Sequence, residues 1–149
     1  MVEVLGEVLQ NKPLLAAVIA LAIAQISKVA QRFYANGKID LKMLLSTGGM
    51  PSSHSASMTA LATAVGLVEG FSSTAFAIAV MIASVVAYDA FGIRQAAGLH
   101  ARKLNELIDD YYAGKGIEQK RLKELLGHTP TEVVLGIMLG IIVGLVVGS

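Results

Sequence analysis

The chain of 149 residues contains no cysteine and no tryptophan, and only 15% of its residues are charged. Without cysteine it has no disulfide, no thiolate nucleophile and no cysteine-ligated metal. The low charge and the 54% hydrophobic content are unusual for a water-soluble domain of this size. These proportions predict one membrane-embedded domain over residues 1–149. The net charge of +1 gives no indication of nucleic acid, and no such partner is expected.

Several apolar segments approach the length that crosses a bilayer, about 20 residues. These predicted spans lie approximately at residues 14–33, 55–70, 73–90 and 131–148. Two amphipathic helices outside the membrane core are predicted at approximately 95–112 and 117–126. The expected fold class is therefore all-α, an integral membrane helical bundle with about four transmembrane helices and one or two interfacial or cytoplasmic helices.

A stretch rich in glycine, proline and hydroxyl groups separates the first two predicted spans. Gly49 permits a sharp turn there, and Pro51 suits the first position of a helix. The N–H groups of that first turn, together with the hydroxyls of Ser52 and Ser53, favour an anion. His54 adds a proton donor near neutral pH. An ordinary serine-rich helix cap with an uninvolved histidine is the alternative interpretation.

A second polar motif precedes the last predicted span. Thr129 fits the N-cap, Pro130 the first helical position and Glu132 the third, which together predict a capping box. Because residues four apart share a helix face, Glu132 is also placed to hold one ring nitrogen of His128. Two interpretations of Glu132 stay open, capping alone or capping combined with orientation of His128.

Charged residues also occur near the ends of two predicted spans. Lys28 lies close to the end of the first, and Asp89 lies in the last turn of the third, followed by Arg94. Charges at such positions are costly unless they are paired or reach water. Lys28 either extends to the interface or serves a site, and Asp89 either pairs locally or faces the same pocket as His54. With four spans, all of these residues fall at one end of the bundle.

The distribution of positive charge predicts the orientation. Of the 12 Lys and Arg residues, only Lys12 lies at the opposite end. The positive-inside rule therefore predicts a multi-pass cell-membrane protein with the site on the cytoplasmic face and both termini outside. Lysines and arginines that bind phosphate would also collect at the site end, so a phosphate site produces the same distribution of positive charge.

Glycine occupies every fourth position of the last predicted span, at Gly136, Gly140, Gly144 and Gly148. This spacing produces one smooth helix face that permits close packing. Packing within the chain is the favoured interpretation. A homodimer through Gly136, Gly140 and Gly144 is the alternative.

These motifs resemble those of the type 2 phosphatidic acid phosphatase superfamily, which includes the vanadium haloperoxidases, and more closely its small divergent bacterial and plant branch. The family motif Pro-Ser-Gly-His is similar to residues 51–54, with serine in place of glycine. The motif His-x-Pro-x-Asp-Val-x-x-Gly is similar to residues 128–136, with glutamate in place of aspartate. Lys28 corresponds to the lysine of the first motif but lacks the Arg-Pro that follows it. Leu122 stands where an arginine is usual, so Arg94 is assigned in its place.

The resemblance implies a lipid phosphate or lipid diphosphate phosphatase that works through a phosphohistidine and needs no metal or other cofactor. It makes His128 the nucleophile, Glu132 its orienting partner and His54 the general acid and base. The residues then assigned to the phosphate are Lys28, Arg94, Ser52, Ser53 and Gly49, with Asp89 in a supporting role. The expected partners are the bilayer and a lipid phosphate substrate drawn from it.

Two other functions compete with a phosphatase. One is a non-catalytic membrane protein that binds an anionic lipid headgroup or has a structural role. The other is vanadate-dependent halide oxidation, which is disfavoured because a lipid-embedded cytoplasmic pocket is a poor place to release oxidised halogen.

Overall fold

A computed structural model describes residues 2–37, 49–112 and 128–149, and this part of the chain is helical. Its helices are α1 (Val2–Gln10), α2 (Lys12–Asn36), α3 (Ser53–Glu69), α4 (Thr74–Phe91), α5 (Ile93–Tyr112) and α6 (Pro130–Gly148). The four predicted spans correspond to α2, α3, α4 and α6. Helix α1 was not predicted, because its nine residues are too short for a span. The amphipathic helix predicted at 117–126 lies outside the described residues.

The interior and exterior of the bundle are those of a membrane protein. Its core is built from alanines of α2 and α3, and its largest fully buried side chains are Lys28 and three serines. Large apolar side chains instead face outward, for example Met81 at 63% and Val146 at 72% exposure. A water-soluble domain shows the opposite distribution, whereas lipid accepts apolar side chains on the outside and small residues between helices. The protein is therefore a helical membrane bundle.

Within the described residues, two helices are both long and apolar enough to cross a membrane by themselves. These are α2, with 25 residues, and α6, with 19. Helix α4 is apolar over Thr74–Ala90 but slightly shorter, and α3 has 17 residues. Helix α3 is the central element, since it packs against α2, α4 and α6.

Helices α3 and α6 run in the same direction, and contacts at the two ends of the bundle show this. At one end, the backbone N–H of Ser52 donates to the carbonyl oxygen of Glu132 at 2.9 Å. At the other end, Gly148 lies against Ala64 of α3, and Lys12 Nζ donates to the carbonyl oxygen of Ser149. The end of α2, the start of α3, the end of α4 and the start of α6 therefore meet at one end of the bundle.

The glycines of α6 contact α3 within the chain. A Cβ added at Gly136 would lie 2.5 Å from the carbonyl oxygen of Ser52, and one at Gly140 would lie 2.5 Å from that of Ala56. The favoured interpretation, packing within the chain, is thus confirmed. A homodimer through the same glycines stays a prediction, and it would require α3 to leave this face of α6.

A proline was predicted at the first position of both α3 and α6, and the structure confirms this for α6 but not for α3. Pro130 occupies the first turn of α6, as predicted. Pro51 does not begin α3, and that prediction is wrong. Ser52 is the N-cap, because its hydroxyl oxygen accepts from the N–H of Ser55, and Pro51 precedes the cap.

Helix α5 follows α4 after Gly92 and carries its apolar stripe on the outside. Leu99, Leu104, Leu107 and Tyr111 are all exposed. The charged face forms surface ion pairs, in which Glu106 contacts Arg102 at 3.3 Å and Lys103 at 2.7 Å. The predicted stripe is present but does not pack on the described helices, which favours a position at the membrane surface.

Candidate functional site

His128 lies at the junction of α4 and α6, where two hydrogen bonds hold it. Its backbone N–H donates to the carbonyl oxygen of Ala90 at 3.0 Å, which ties it to the end of α4. Its ring Nδ1 lies 2.8 Å from Glu132 Oε2, one turn into α6. The side chain is 3% exposed. Both its backbone and its ring are therefore held in place.

Glu132 combines the two roles that the sequence left open. Its Oε2 accepts from the backbone N–H of Thr129 at 3.2 Å, and the hydroxyl oxygen of Thr129 accepts from the N–H of Glu132 at 3.4 Å. The predicted capping box is therefore confirmed. The same oxygen also contacts His128, so the cap holds the carboxylate in position beside the ring.

The pairing with Glu132 determines which nitrogen of His128 is available for chemistry. An ionised carboxylate only accepts hydrogen bonds, so Nδ1 carries the proton and Nε2 keeps a lone pair. Nε2 is buried and has no hydrogen-bond partner among the described residues. Buried polar atoms are normally satisfied, so an orphaned one requires an explanation. A ring nitrogen kept for a ligand or a reacting atom is such an explanation.

A cavity of about 230 Å³ lies between α3, α4 and His128. It is lined by His54, Val85, Val86, Asp89, Ala90 and His128. A water molecule occupies about 30 Å³ in the liquid, so the cavity is roomy enough for a phosphate group. The two histidines and the aspartate thus share one cavity, although 74 residues separate His54 from His128 in the sequence. His54 and Asp89 each also interact with another residue.

Lys28 is buried between α2 and the start of α3. It is 2% exposed, and its Nζ donates to Ser53 Oγ at 3.4 Å. Gly49, with a φ of +92°, passes over the lysine stem, where an added Cβ would lie 3.7 Å from two stem carbons. Lys28 therefore does not extend to water, and it links α2 to the start of α3.

The predicted phosphate-binding residues do not line the cavity as a set. Lys28, Gly49, Ser52 and Ser53 are absent from its described lining. The hydroxyl of Ser52 is used inside the protein, because it accepts from both the N–H and the hydroxyl of Ser55. The backbone of Arg94 lies in the first turn of α5, while its side chain lies outside the described part. Assignment of these residues to phosphate stays a prediction.

Over residues 2–37, 49–112 and 128–149, no group of three His, Asp or Glu side chains is arranged to hold a metal ion.

The site is thus a histidine–glutamate pair with a second histidine across a cavity, at one end of a helical membrane bundle. The chain belongs to the Divergent PAP2 family, whose model matches residues 9–143. It is also 43% identical over 141 residues to a Bacillus subtilis (strain 168) protein named "Uncharacterized membrane protein YuiD", covering 87% of this chain and 89% of that protein. No solved structure matches the chain. The family resemblance read from the motifs is confirmed.

Proposed function

We propose that this protein is a phosphatase of membrane lipid phosphates or diphosphates, with His128 as the nucleophile. The observation that supports this most strongly is the state of the His128 ring. One nitrogen is held by Glu132 at 2.8 Å, and the other is buried without a partner among the described residues. His54 lines the same cavity, which supports its role as the acid–base group.

In the first step, Nε2 of His128 attacks phosphorus and the bond to the leaving oxygen breaks. The positive charge that develops on the ring is stabilised by Glu132 through Nδ1. His54 donates a proton to the leaving oxygen, which departs as an alcohol, or as a monophosphate when the substrate is a diphosphate. The product on the protein is a phosphohistidine. Because Nε2 is covered, substrate binding has to open the cavity wall at this atom.

In the second step, water attacks the phosphohistidine. His54 removes a proton from this water, the N–P bond breaks, and inorganic phosphate leaves while His128 regains its lone pair. A well-placed acid–base group contributes about 100- to 10,000-fold to such a step. Lys28 and the first turn of α3 supply positive potential near the transferring oxygens.

The substrate is proposed to be a lipid because of where the cavity lies. It lies at one end of a bundle whose outward side chains are apolar, where we expect lipid headgroups to meet water. A phosphate carried by a lipid reaches this level without leaving the bilayer. In this mechanism the nucleophile and the acid–base group are both imidazoles, so no metal is required.

The proposal is tested by phosphate release from a panel of lipid phosphates and diphosphates in EDTA, with the protein purified in detergent. We expect release that persists in EDTA and is inhibited by vanadate, which adopts the geometry of the transferring phosphoryl group. Quenching during turnover in alkaline denaturant should trap phosphate on the protein as an acid-labile, base-stable adduct. Folded protein that releases no phosphate from any member of the panel would refute the proposal.

The two roles of Glu132 are separable by mutation. Glu132→Gln keeps an acceptor for the cap but loses the charge that stabilises the protonated ring, so we expect kcat to fall by about 100- to 1,000-fold. Thr129→Ala removes the cap hydroxyl and should lower the free energy of unfolding by about 1 kcal/mol, with kcat per folded molecule nearly unchanged. Phosphate release and thermal unfolding of both variants check this. Equal losses of kcat in the two variants would show that Glu132 acts only as a cap residue.

A non-catalytic lipid-binding protein is the second candidate function. It is favoured by one observation, that Lys28, Ser52 and Ser53 make hydrogen bonds inside the protein and do not line the cavity. Such a protein would bind vesicles that contain anionic lipid and would release no phosphate from them. The phosphate-release assay together with vesicle binding separates the two functions.

We propose, from the distribution of Lys and Arg, that the site faces the cytoplasm. The absence of cysteine makes single-cysteine labelling direct. Asn36 ends α2 near the site, and Gln10 ends α1 at the other end of the bundle; both side chains are exposed. In intact cells, an impermeant thiol reagent should label Gln10→Cys but not Asn36→Cys, and both should react after lysis. Labelling of Asn36→Cys alone in intact cells would reverse the orientation.

A further inference from the structure

The first residue of α3, Ser53, holds the ammonium of a buried lysine. Lys28 Nζ, near the end of α2, donates to Ser53 Oγ at 3.4 Å, and both side chains are 2% exposed. The Ser53 hydroxyl is available for this contact because the preceding serine caps the helix, with its hydroxyl oxygen accepting from the N–H of Ser55. Ser53 is therefore not needed as a cap, and its described side-chain contact is with Lys28.

This contact leaves the ammonium of Lys28 incompletely satisfied. An ammonium has three N–H donors, and charge-assisted hydrogen bonds are normally about 2.7–2.9 Å long. In the described part of the chain, Lys28 makes the long bond to Ser53 and forms no ion pair with a carboxylate. A buried charge without a partner of opposite charge is strongly unfavourable. An ionisable group kept inside a spanning helix under these conditions indicates a functional role.

The surroundings of the ammonium add positive potential and keep it in place. The first-turn N–H groups of α3, where Ser53 lies, carry the positive end of the helix macrodipole. Gly49 passes over the stem of Lys28. One turn later on α2, Gln31 donates to the carbonyl oxygen of Met50 at 2.8 Å. The segment before α3 is thus held against α2, and a fixed positive charge at the start of α3 favours an anion.

The cavity is close to this charge through the backbone of α3. Ser53 is followed by His54, which lines the cavity, and consecutive Cα atoms lie about 3.8 Å apart. Lys28 is absent from the described lining, so its charge acts on the cavity without direct contact. Such an action is effective over several ångströms where the dielectric constant is low. The position of the ammonium therefore decides how much of its potential reaches an anion in the cavity.

We propose that Ser53 is a positioning residue, which holds the Lys28 ammonium at the start of α3 so that its charge stabilises a phosphate in the cavity. The proposal rests on the proposed function for a phosphate beside His54 and His128, but not for its hydrolysis. Ser53 then acts through Lys28, which differs from the direct contact with phosphate expected from the sequence.

A double-mutant cycle tests this action through Lys28, with calorimetric binding of monomeric orthovanadate, a phosphate analogue, to the detergent-purified protein in EDTA. Ser53→Ala removes the partner that fixes the ammonium, so we expect its Kd to rise about tenfold. Lys28→Met keeps most of the stem and removes the charge, and its Kd should rise about tenfold or more. When Ser53→Ala is added to Lys28→Met, the Kd should change by less than about twofold.

Ser57→Ala is the matched control on α3. Ser57 is also buried, at 4% exposure, but its hydroxyl donates to the carbonyl oxygen of His54 within the helix, so the Kd should stay within about twofold. Thermal unfolding shows that each variant is folded. An equal effect of Ser53→Ala with and without the Lys28 charge would overturn the proposal, because Ser53 would then act by direct contact. An unchanged Kd in Ser53→Ala would overturn it as well.

The outcomes for Ser53 and for the phosphatase are distinguishable because vanadate binding needs no turnover. Coupling between Ser53 and Lys28 without phosphate release would retain the positioning role and reject the phosphatase. Phosphate release without this coupling would do the reverse. Folded wild-type protein that binds no vanadate would also reject the positioning role.

Discussion

His128→Asn is expected to abolish phosphate release, lowering kcat by about ten-thousand-fold or more, as removal of a covalent nucleophile does. The Asn amide N–H lies close to the position of the imidazole Nδ1–H, so it keeps a donor for Glu132. The variant therefore removes Nε2 with little disturbance of the cap and of the contact between α4 and α6. His128→Ala, which also removes the donor to Glu132, should lose the same activity and unfold more easily.

The control for His128 is His100→Asn. His100 is an exposed residue of α5, away from the cavity lining, so its substitution should change kcat by less than about twofold. Phosphate release and base-stable, acid-labile labelling are measured for each folded variant. Retention of more than about a tenth of the wild-type kcat by His128→Asn is incompatible with a phosphohistidine on this residue.

Gly140→Ala is expected to give the largest loss of stability from a single methyl group. Its Cβ would lie 2.5 Å from the carbonyl oxygen of Ala56, 2.7 Å from Cβ of Thr59 and 2.9 Å from the N of Ala60. Two of these atoms belong to the backbone of α3, so they yield only if the helices separate. Overpacking of this kind costs about 1–3 kcal/mol or more, which exceeds the gain of about 1 kcal/mol that alanine brings within a helix.

Thermal unfolding in detergent checks this prediction, with a fall in Tm of roughly 5–10 °C expected for about 3 kcal/mol. Gly6→Ala in α1 is the matched control, because nothing lies within 4 Å of an added Cβ there. Its Tm should be unchanged or slightly higher. A Gly140→Ala protein that keeps its Tm but loses a dimer present in the wild type would instead favour the homodimer interface.

Local sequence patterns predicted the elements and one contact of the site. Hydropathy and length placed the four long apolar helices, and the spacing from Thr129 to Glu132 predicted the capping box. The contact between His128 and Glu132 was one of two open interpretations, and it follows from a separation of four residues at a helix start. Such features depend on the backbone of one helix, so sequence spacing is sufficient for them.

Three other features of the structure were predicted less well. Pro51 was placed at the start of α3, whereas the hydroxyl of Ser52 caps that helix. Lys28 was predicted either to extend to the membrane interface or to belong to a binding site. The structure excludes the first, because Lys28 is buried beneath Gly49 and beside Ser53. An apolar groove between α3, α4 and α6 had no sequence signal, because its wall combines three helices.

The sequence by itself determined an apolar helical chain with four spans, two polar motifs near helix starts at one end of the bundle, a capping box and a glycine face on the last span. Those properties come from composition and from contacts within about one helical turn. The tertiary structure decided that α3 and α6 pack against each other through the glycines of α6, that His54 and His128 share a cavity, and that Lys28 is buried beside Ser53. The physical reason is that backbone approach between small residues, such as Gly140 against Ala56, sets helix positions across large sequence separations.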